Sequence, residues 1–265
     1  MSVLLESKDV CKYFGGLKAV EKVSMQVHKG DVFGIIGPNG AGKTTFFNIC
    51  SGVYGPTSGQ IFLDGEDISG KSPEDVAARG MARTFQNIQL FKFMTVLDNV
   101  KIGFHLSTKT TMLDAILRNN RFKEDEKYIA EEGMKILKKV GLEEYAHTMA
   151  GNLPYGVQRK VEIARALALN PKVILLDEPA AGMNPNETNS LREFILRLNQ
   201  EGYTIVVIEH DMKFVMNSCN RILVLNFGQK ICEGTPEEVR SNKEVNEAYF
   251  GKGKMLKGGV DDAED

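Results

Sequence analysis

A glycine-rich turn between a short apolar stretch and a helix start constrains the fold of this chain more than any other feature. Residues 31–36 (DVFGII) are typical of a buried strand. The next eight residues fit the phosphate-loop pattern G-x-x-x-x-G-K-[ST]: Gly37, Pro38, Asn39, Gly40, Ala41, Gly42, Lys43 and Thr44. Glycines at positive φ turn backbone N–H groups toward phosphate oxygens, and the helix start adds partial positive charge. The sequence therefore predicts a nucleoside triphosphate site.

Two side chains of this loop have specific predicted roles. Lys43 can reach the β- and γ-phosphates, and the Thr44 hydroxyl can ligate Mg²⁺. Thr45, the next residue of the helix, completes the predicted ATP-binding set.

Length and charge limit what the rest of the chain can do. With 265 residues it can bury one sizeable core, or one core with an attached subdomain. The formal net charge of −2 provides no general attraction to DNA, RNA or anionic lipid. No stretch approaches 18 consecutive apolar residues, and we expect no secretory signal. The four cysteines form no C-x-x-C pair and are expected to be buried, reduced thiols: Cys11, Cys50, Cys219 and Cys232.

The pattern of strands and helices predicts an α/β fold. Apolar strands, such as 173–176 and 203–208, alternate with amphipathic helices, which is typical of a mostly parallel sheet covered on both faces. One helix is predicted to begin at Thr95, and another is predicted over 158–169. We predict an ATP-binding core over 1–86 and 156–250 that includes an N-terminal antiparallel β subdomain. A helical subdomain is predicted over 87–155, and a flexible tail over 251–265. The polar, basic run over 105–123 is expected to be a solvated face.

Two acids close the apolar strand at residues 173–176. Asp177 follows the strand at its carboxyl end, where ligands bind in open α/β sheets, and can hold Mg²⁺ there. Glu178 can polarise a water for attack on the γ-phosphate, and a general base of this kind contributes about 10²- to 10⁴-fold in rate. The alternative is a strand-ending acidic pair that faces solvent. The phosphate loop favours the catalytic interpretation.

Three further side chains are candidates for nucleotide contact. His210 ends the next apolar strand and is expected to contact the γ-phosphate or to hold the attacking water, a structural histidine being the alternative. Tyr13 and Phe14 precede a Gly-Gly turn. One ring can stack on a nucleobase, but their spacing alone favours packing in the core. Capping boxes are predicted at Thr235 and Ser241.

These motifs, in this order, resemble the nucleotide-binding subunits of the ATP-binding cassette (ABC) family. The match covers nearly all of residues 4–251. It includes the phosphate loop, Gln86 after the sequence RTF, the Asp177-Glu178 pair and His210. The resemblance implies that Phe14 stacks on adenine, with Tyr13 the less favoured candidate. It also implies that Gln86 senses Mg²⁺ and the attacking water, and links them to the helical subdomain.

The resemblance further implies a head-to-tail dimer. Each ATP is held between one subunit's phosphate loop and the other's signature loop, and hydrolysis reopens the dimer to drive a membrane partner. This chain departs from the family's signature pattern, L-S-G-G-Q, because its signature loop reads Leu153, Pro154, Tyr155, Gly156 and Val157. Pro154 lacks both the serine hydroxyl and its own N–H, so two potential phosphate donors are missing.

A second departure from the family pattern also indicates a weakened contribution to the partner subunit's ATP site. Asn184 stands where the family carries an aspartate after the acidic strand. The chain's own phosphate loop and catalytic base match the family pattern. The signature loop that it contributes to the partner subunit's ATP departs from that pattern, and we expect it to bind phosphate more weakly. We therefore expect a heterodimer with a second, paralogous ATPase subunit that carries a complete signature loop.

Within the family, several segments resemble the ATPase subunits of branched-chain amino acid importers. They are ARTFQNIQLFKFMTVLDNV, NLPYGVQRKVEIARAL, LDEPAAGMNP, IEHDMKFV and EGTPEEV. This likeness implies a position at the cytoplasmic face of the membrane. It also implies permease subunits that dock near 86–94, where Phe91, Phe93 and Met94 are apolar. A solute-binding protein is implied as well, which would act on this chain only through the permease.

Other functions stay open from the sequence alone. One is the ATPase of a lipopolysaccharide exporter, a homodimer with an intact signature loop. Another is a soluble ABC ATPase working on DNA or ribosomes. The near-neutral charge disfavours a nucleic-acid partner, and none is expected. A third is a module that binds ATP without hydrolysing it, which Glu178 and His210 disfavour.

Overall fold

The fold was analysed in a computed structural model that describes residues 2–106, 110, 112–117 and 119–250. The chain forms two compact units. The first contains Met1–Val76 and Ile195–Asp265, and the second contains Ala77–Phe194. The predicted tail, 251–265, lies outside the described residues, as does part of the basic run over 105–123.

The strands are named in chain order. They are β1 (Val3–Phe14), β2 (Leu17–His28), β3 (Val32–Ile36), β4 (Ser58–Leu63), β5 (Glu66–Asp67), β6 (Met81–Arg83), β7 (Val173–Asp177), β8 (Thr204–Ile208), β9 (Arg221–Asn226) and β10 (Gln229–Gly234).

The α-helices follow the same convention. They are α1 (Lys43–Cys50), α2 (Pro73–Ala78), α3 (Val96–Ile102), α4 (Met112–Leu117), α5 (Asn120–Lys139), α6 (Tyr155–Leu167), α7 (Pro185–Gln200), α8 (Met212–Ser218), α9 (Pro236–Ser241) and α10 (Lys243–Phe250). Short 3₁₀ turns lie at Gly103–Leu106, Glu143–Tyr145 and Ala150–Asn152.

The first unit contains the predicted antiparallel subdomain. Strands β2, β1, β4 and β5 form a sheet in that order, with β1 antiparallel to both β2 and β4. In the same unit β3 lies parallel to both β8 and β9, and β10 pairs antiparallel with β9. All five residues of β3 and of β8 are buried. A strand that is buried along its whole length is covered on both faces, as the continuous apolar runs predict.

A tight hairpin of the first unit supports the phosphate loop. Phe227 and Gly228 join β9 to β10 with positive φ at both residues, which is the geometry of a two-residue hairpin turn. The Gly228 N–H donates to the Ala41 carbonyl at 3.0 Å, and the Glu21 N–H donates to the Gly228 carbonyl at 2.8 Å. The turn therefore connects the predicted phosphate site to β2.

The second unit combines a short parallel strand pair with helices. β6 lies parallel to β7, and all five residues of β7 are buried. Helix α3 packs against α5 and α6. Thr95 begins α3 as predicted, because its hydroxyl accepts from the Asp98 N–H at 3.1 Å. In α5, Ile129, Gly133 and Leu137 are buried at four-residue spacing, which is typical of one helix face packed in a core.

Several sequence predictions can be compared with these elements. The capping box at Thr235 is confirmed, but the one predicted at Ser241 is wrong. The Asn242 carboxamide accepts from the Val245 N–H at 3.1 Å instead, and the Ser241 hydroxyl donates to the preceding turn, at the Glu238 carbonyl. Cys11, Cys50 and Cys219 are buried and in no disulfide, as expected, whereas Cys232 is half-buried.

Several side chains of the basic run over 105–123 are exposed. Within the basic run, Ile116 and Leu117 are 68% and 74% exposed, and Arg121 and Lys123 are exposed. Across the described part of the chain, no helix is both long and apolar enough to cross a bilayer.

Candidate functional site

The phosphate loop follows β3 directly in the first unit. Its two outer glycines are required by close backbone approach. A Cβ on Gly37 would lie 2.2 Å from the Leu225 carbonyl oxygen, and one on Gly42 would lie 2.4 Å from the Ala19 carbonyl oxygen. Gly42 also has φ 93°, in the left-handed region that favours glycine. The loop is therefore a turn that packs against neighbouring backbone on both sides.

The loop ends at the N-terminus of α1. Gly42 occupies the N-cap position and has no side chain to cap the helix, so the first backbone N–H groups of α1 point out of the helix end. Lys43 is buried, and its Nζ donates to the Gly37 carbonyl at 2.6 Å and the Pro38 carbonyl at 3.1 Å. Thr44 is exposed beside it, and Thr45 is half-buried. Backbone donors, an ammonium group and a hydroxyl thus converge at one helix end, which is the chemistry of a triphosphate site.

Phe14 lies at the end of β1 and is 43% exposed. Its ring meets Tyr54 edge-on at 5.5 Å, and the Lys12 ammonium lies 5.2 Å from its centroid. The alternative that Phe14 packs in the core is therefore wrong, because the strand end carries its ring into solvent. Tyr13 is half-buried beside Lys18.

His210 follows β8 in the first unit. Its side chain is 60% exposed, whereas that of Glu209 is 1% exposed. The Glu209 Oε2 accepts from the His210 backbone N–H at 3.2 Å and lies 3.9 Å from the His210 Nδ1. A buried carboxylate thus stands behind an exposed imidazole, on the Nδ1 side of the ring.

Asp177 ends β7 in the second unit, and its carboxylate is held by Arg83. The Arg83 Nη2 donates to Asp177 Oδ2 at 2.8 Å, with the two side chains 10% and 8% exposed. The parallel pairing of β6 with β7 places Arg83 opposite Leu175, so the guanidinium reaches the strand end. No role for Arg83 was evident from the sequence alone. The only signal for it was a basic residue at the end of the strand before Gln86.

Glu178 and Gln86 are brought together in the second unit. The Gln86 Nε2 donates to Glu178 Oε2 at 2.8 Å. Glu178 has φ 44°, a left-handed backbone that costs a non-glycine residue about 1–2 kcal/mol. Strain of this kind persists only where surrounding structure maintains it. The result is a carboxylate that is turned off the strand end and oriented by an amide.

The signature loop runs into the first turn of α6. Helix α6 begins at Tyr155 rather than at the predicted Gln158, with Pro154 at the N-cap. The Pro154 carbonyl accepts from the N–H groups of Val157 and Gln158, both at 3.0 Å. Leu153 is buried, Pro154 and Tyr155 are exposed, and Gly156 and Val157 are half-buried. The helix starts earlier than predicted because proline can precede a helix but has no N–H to lose there.

Arg159 on α6 is another side chain that the sequence analysis did not single out. It is 0% exposed, and it donates to the carbonyls of Phe85 and Gln86 at 2.7 and 2.6 Å. A basic residue in an amphipathic helix pattern carries no local sign that it will be buried. The contact could be found only in the fold.

The sequence matches two family models. The ABC transporter family matches residues 20–181, and the branched-chain amino acid ATP-binding cassette transporter family matches residues 229–254. The chain is 44% identical to the high-affinity branched-chain amino acid transport ATP-binding protein BraF of Pseudomonas aeruginosa. It is 42% identical to LivG, described in the same words, of Escherichia coli. Each alignment spans 250 residues, 94% of this chain and 98% of the relative.

Solved structures give the same result for the fold. A nucleotide-free ATP-binding cassette from an ABC transporter has a TM-score of 0.82 at 36% identity, over 95% of this chain and all of that one. The ADP conformation of such a cassette has a TM-score of 0.82 at 35% identity, with the same coverage. A dimeric cassette in a post-hydrolysis state, bound to ADP and Pi, has a TM-score of 0.71 at 26% identity, over 88% of this chain and 99% of that one.

These matches confirm the family and the P-loop α/β fold that the motifs predict. The phosphate loop and the oriented acid at the end of β7 are the parts that an ATPase of this fold requires. The chain is a member of the ATP-binding cassette family, an ATPase of the ABC transporters.

Proposed function

We propose that this protein is the ATP-hydrolysing subunit of a membrane importer for branched-chain amino acids. The observation that carries the catalytic part is the Glu178 carboxylate, oriented by Gln86 at 2.8 Å one residue after Asp177. The names of the 44% and 42% identical relatives support the transport part and favour it over a lipopolysaccharide exporter.

The nucleotide is ATP, held at the phosphate loop. The N–H groups of Asn39, Gly40 and the residues that follow Ala41 face its phosphates, and Lys43 pairs with the β- and γ-phosphates. The Ala41 N–H instead donates to the Pro38 carbonyl at 3.1 Å and closes the loop. Gly37 and Pro38 shape the entry of the loop, and Thr45 follows Thr44 in the first turn of α1. The Phe14 ring, exposed and flanked by Lys12, stacks on the adenine.

The oxygen donors of the site fit Mg²⁺. The Thr44 hydroxyl, the Asp177 carboxylate and the Gln86 amide oxygen are hard ligands of the kind that Mg²⁺ prefers beside phosphate oxygens. Held by these groups, Mg²⁺ would neutralise charge on the β- and γ-phosphates. Arg83 would share the Asp177 carboxylate and limit its movement.

The protein's own groups carry out the proton transfer. Glu178 accepts a proton from water as the water oxygen attacks the γ-phosphorus, and the bond to the bridging oxygen of ADP breaks. Gln86 holds the Glu178 carboxylate, and His210 donates to a γ-phosphate oxygen. The buried Glu209 fixes the backbone N–H of His210.

Substitution of the base tests this assignment. Glu178→Gln should lower kcat by about 10²- to 10⁴-fold while the Kd for ATP changes less than about twofold. Glu193→Gln, an exposed acid on α7, is the matched control and should keep both values. Full turnover in the Glu178→Gln variant would reject ATP hydrolysis at this site and favour a module that only binds nucleotide.

The aromatic contact has its own test. Phe14→Ala should weaken ATP binding by about 1–3 kcal/mol, the usual loss when a ring stacked on a base is removed. Tyr13→Ala should leave the Kd unchanged. A larger effect at Tyr13 would reverse the assignment.

The dimer is proposed to contain two different ATPase subunits. The dimeric cassette among the solved structures supports the formation of a dimer. In this chain Leu153 is buried, Pro154 has no N–H, and the Val157 N–H donates to the Pro154 carbonyl. The backbone donors proposed to face the phosphate are therefore those of Tyr155 and Gly156, at the start of α6. Losing a donor to a charged phosphate costs about 1.5–3 kcal/mol, so the site completed by this chain would be the slower one.

Restoring the missing donors tests the asymmetry. Pro154→Ser returns a hydroxyl and an N–H, and should accelerate hydrolysis at the site that this chain completes. If the purified chain alone formed ATP-dependent dimers with equal hydrolysis at both sites, the heterodimer proposal would be abandoned.

The membrane partner is proposed to dock on residues 86–94. Phe91 and Phe93 are 53% and 96% exposed there. The ATPase would then lie at the cytoplasmic face of the membrane, and a solute-binding protein outside would act only through the permease. The core over 1–86 and 156–250 and the helical subdomain over 87–155 remain our domain proposal.

Transport can be measured directly. The chain, reconstituted with the permease and binding-protein subunits encoded beside it, should drive ATP-dependent leucine uptake. Co-purification with nucleic acid instead of membrane subunits would favour a soluble ABC ATPase.

A further inference from the structure

One buried arginine connects the helix of the signature loop to the segment that carries Gln86. Arg159 lies on α6, one turn after Tyr155, and it is the largest fully buried side chain in the described residues. Its Nη1 donates to the Phe85 carbonyl at 2.7 Å, and its Nη2 donates to the Gln86 carbonyl at 2.6 Å. The guanidinium thus grips consecutive carbonyls on either side of the Gln86 N–H.

Two more side chains of α6 bind the same main-chain segment. Glu162 accepts from Arg159 Nη1 at 2.6 Å, and its other oxygen accepts from the Gln89 N–H at 3.2 Å. Arg165 Nη1 donates to the Gln89 carbonyl at 2.5 Å. A single helix face therefore binds the main chain at Phe85, Gln86 and Gln89.

The energetics argue against a role in stability alone. Burial raises the pKa of the Glu162 carboxyl, against the opposing effect of Arg159, and burial lowers the pKa of the Arg165 guanidinium. A buried ion pair is often no more stabilising than apolar residues of similar volume, because desolvation offsets the attraction. Its distinctive effect is geometric, since a planar guanidinium fixes two acceptors in one arrangement.

We propose that Arg159 is a positioning residue for hydrolysis, which transmits the position of the α6 start to Gln86 and so to Glu178. The inference rests on the proposed roles of Gln86 and Glu178. A ligand or partner subunit that shifts Tyr155 and Gly156 moves Arg159 with them, because the residues share one helix. The two gripped carbonyls follow, and the Gln86 amide, 2.8 Å from Glu178, follows its own backbone.

A double-mutant cycle tests this coupling in the full-length chain. Arg159→Met keeps the volume and removes the donors. We expect kcat for ATP to fall about tenfold with KM changed less than about twofold, since the phosphate loop is untouched. In a Gln86→Ala background, Arg159→Met should cost less than about a further twofold. A merely structural role would multiply the loss equally in both backgrounds, and that result would overturn the proposal.

Arg159→Met leaves the Glu162 charge buried without its Arg159 partner, and the variant could fold poorly for that reason. A second variant tests the proposal in that case. Arg159→Met combined with Glu162→Leu replaces the pair by apolar groups and should recover thermal stability. The kcat loss should remain, with faster amide hydrogen exchange at 86 and 87. Gln89 is not informative in this variant, because its N–H loses the Glu162 acceptor. Recovery of turnover together with stability would overturn the proposal, as would unchanged exchange.

Two controls separate this outcome from others. Lys101→Met removes a half-buried ion pair with Glu126 in the same unit and should leave kcat unchanged. If Glu178→Gln kept full turnover, the proposed hydrolytic site would fail. If Glu178→Gln were inactive but the Arg159 and Gln86 effects were additive, only the positioning role would fail.

Discussion

The phosphate loop and the segment at 85–94 are both irregular stretches that carry proposed catalytic groups, but they are held in different ways. In the phosphate loop, the side-chain bonds come from Lys43, five or six residues from the carbonyls that it binds. In the segment at 85–94, the carbonyls of Phe85 and Gln86 are bound by Arg159, more than seventy residues away.

This difference explains why the phosphate loop could be identified from the sequence, whereas the contacts of the segment at 85–94 could not. A loop closed by its own neighbours has a fixed spacing of residue types, which makes a motif. A loop held by a distant helix has no such spacing, because its partners are set by the fold. The segment at 85–94 is thereby tied to a distant helix by side-chain bonds. The Lys43 bonds stay within the phosphate loop, whose backbone also packs against Ala19 and Leu225.

The largest effect is expected from a substitution in the phosphate loop. Gly42→Ala places a Cβ 2.4 Å from the Ala19 carbonyl oxygen and 3.3 Å from the Gly228 Cα, both backbone atoms that cannot swing away. ATP binding should weaken by about 100-fold or more, measured by equilibrium titration.

Gly40→Ala is the matched control for this variant. Gly40 has φ 79°, but its Cβ would meet nothing within 4 Å. Only the left-handed backbone then costs free energy, about 1–2 kcal/mol, or about a 5- to 30-fold loss of affinity. Equal losses in the two variants would show that steric packing of the loop is not what requires Gly42.

An intermediate effect is expected in the segment at 85–94, which Asn99 binds from the neighbouring helix α3. Asn99 is 0% exposed, accepts from the Phe91 N–H at 2.9 Å, and donates to the Phe91 and Thr95 carbonyls at 3.0 Å. Asn99→Ala leaves these buried groups without their partner. It should lower the free energy of unfolding by about 1–3 kcal/mol and speed amide exchange at 91–94.

Asn246 provides the control for Asn99. It is 4% exposed and donates to two carbonyls of the first unit, those of Arg240 and Asn242. Asn246→Ala should cost a similar free energy without faster exchange at 91–94. If both variants loosened that segment, its rigidity would reflect global stability rather than the bonds of Asn99.

The smallest expected effect is a pH dependence confined to the contacts of the distant helix. Burial raises the pKa of the Glu162 carboxyl above its ordinary value of 4.5. Between 4.5 and the raised value the folded state binds more protons than the unfolded state. The Glu162 contribution to the free energy of unfolding therefore falls as pH rises through that window, by at most about 1.4 kcal/mol per unit.

Glu162→Gln should remove this slope. Urea unfolding of both proteins at several pH values from 4.5 upward measures the difference, in which other titrating groups cancel. Parallel profiles would mean that the pKa of Glu162 is the same in the folded and unfolded chain. The phosphate loop contains no carboxylate, so it offers no counterpart.

Much of the fold followed from local patterns, with errors at element ends. The strands β3, β7 and β8 were predicted within one or two residues, because continuous apolar runs mark strands buried on both faces. The start of α6 was placed three residues late, because the pattern of L-S-G-G-Q was read as a loop. The exposure of Phe14 was also missed, since spacing does not reveal where a strand leaves the core.

By itself, the sequence determined the phosphate loop, the acids after β7 and the family, because each depends on residue types at short, fixed spacing. Only the tertiary structure decided that Arg83 holds Asp177, that Gln86 reaches Glu178, and that Arg159 grips the backbone around Gln86. These contacts join residues that are 73–94 positions apart. Burying a charge is favourable only where the whole fold brings its partners together, and no local pattern records that.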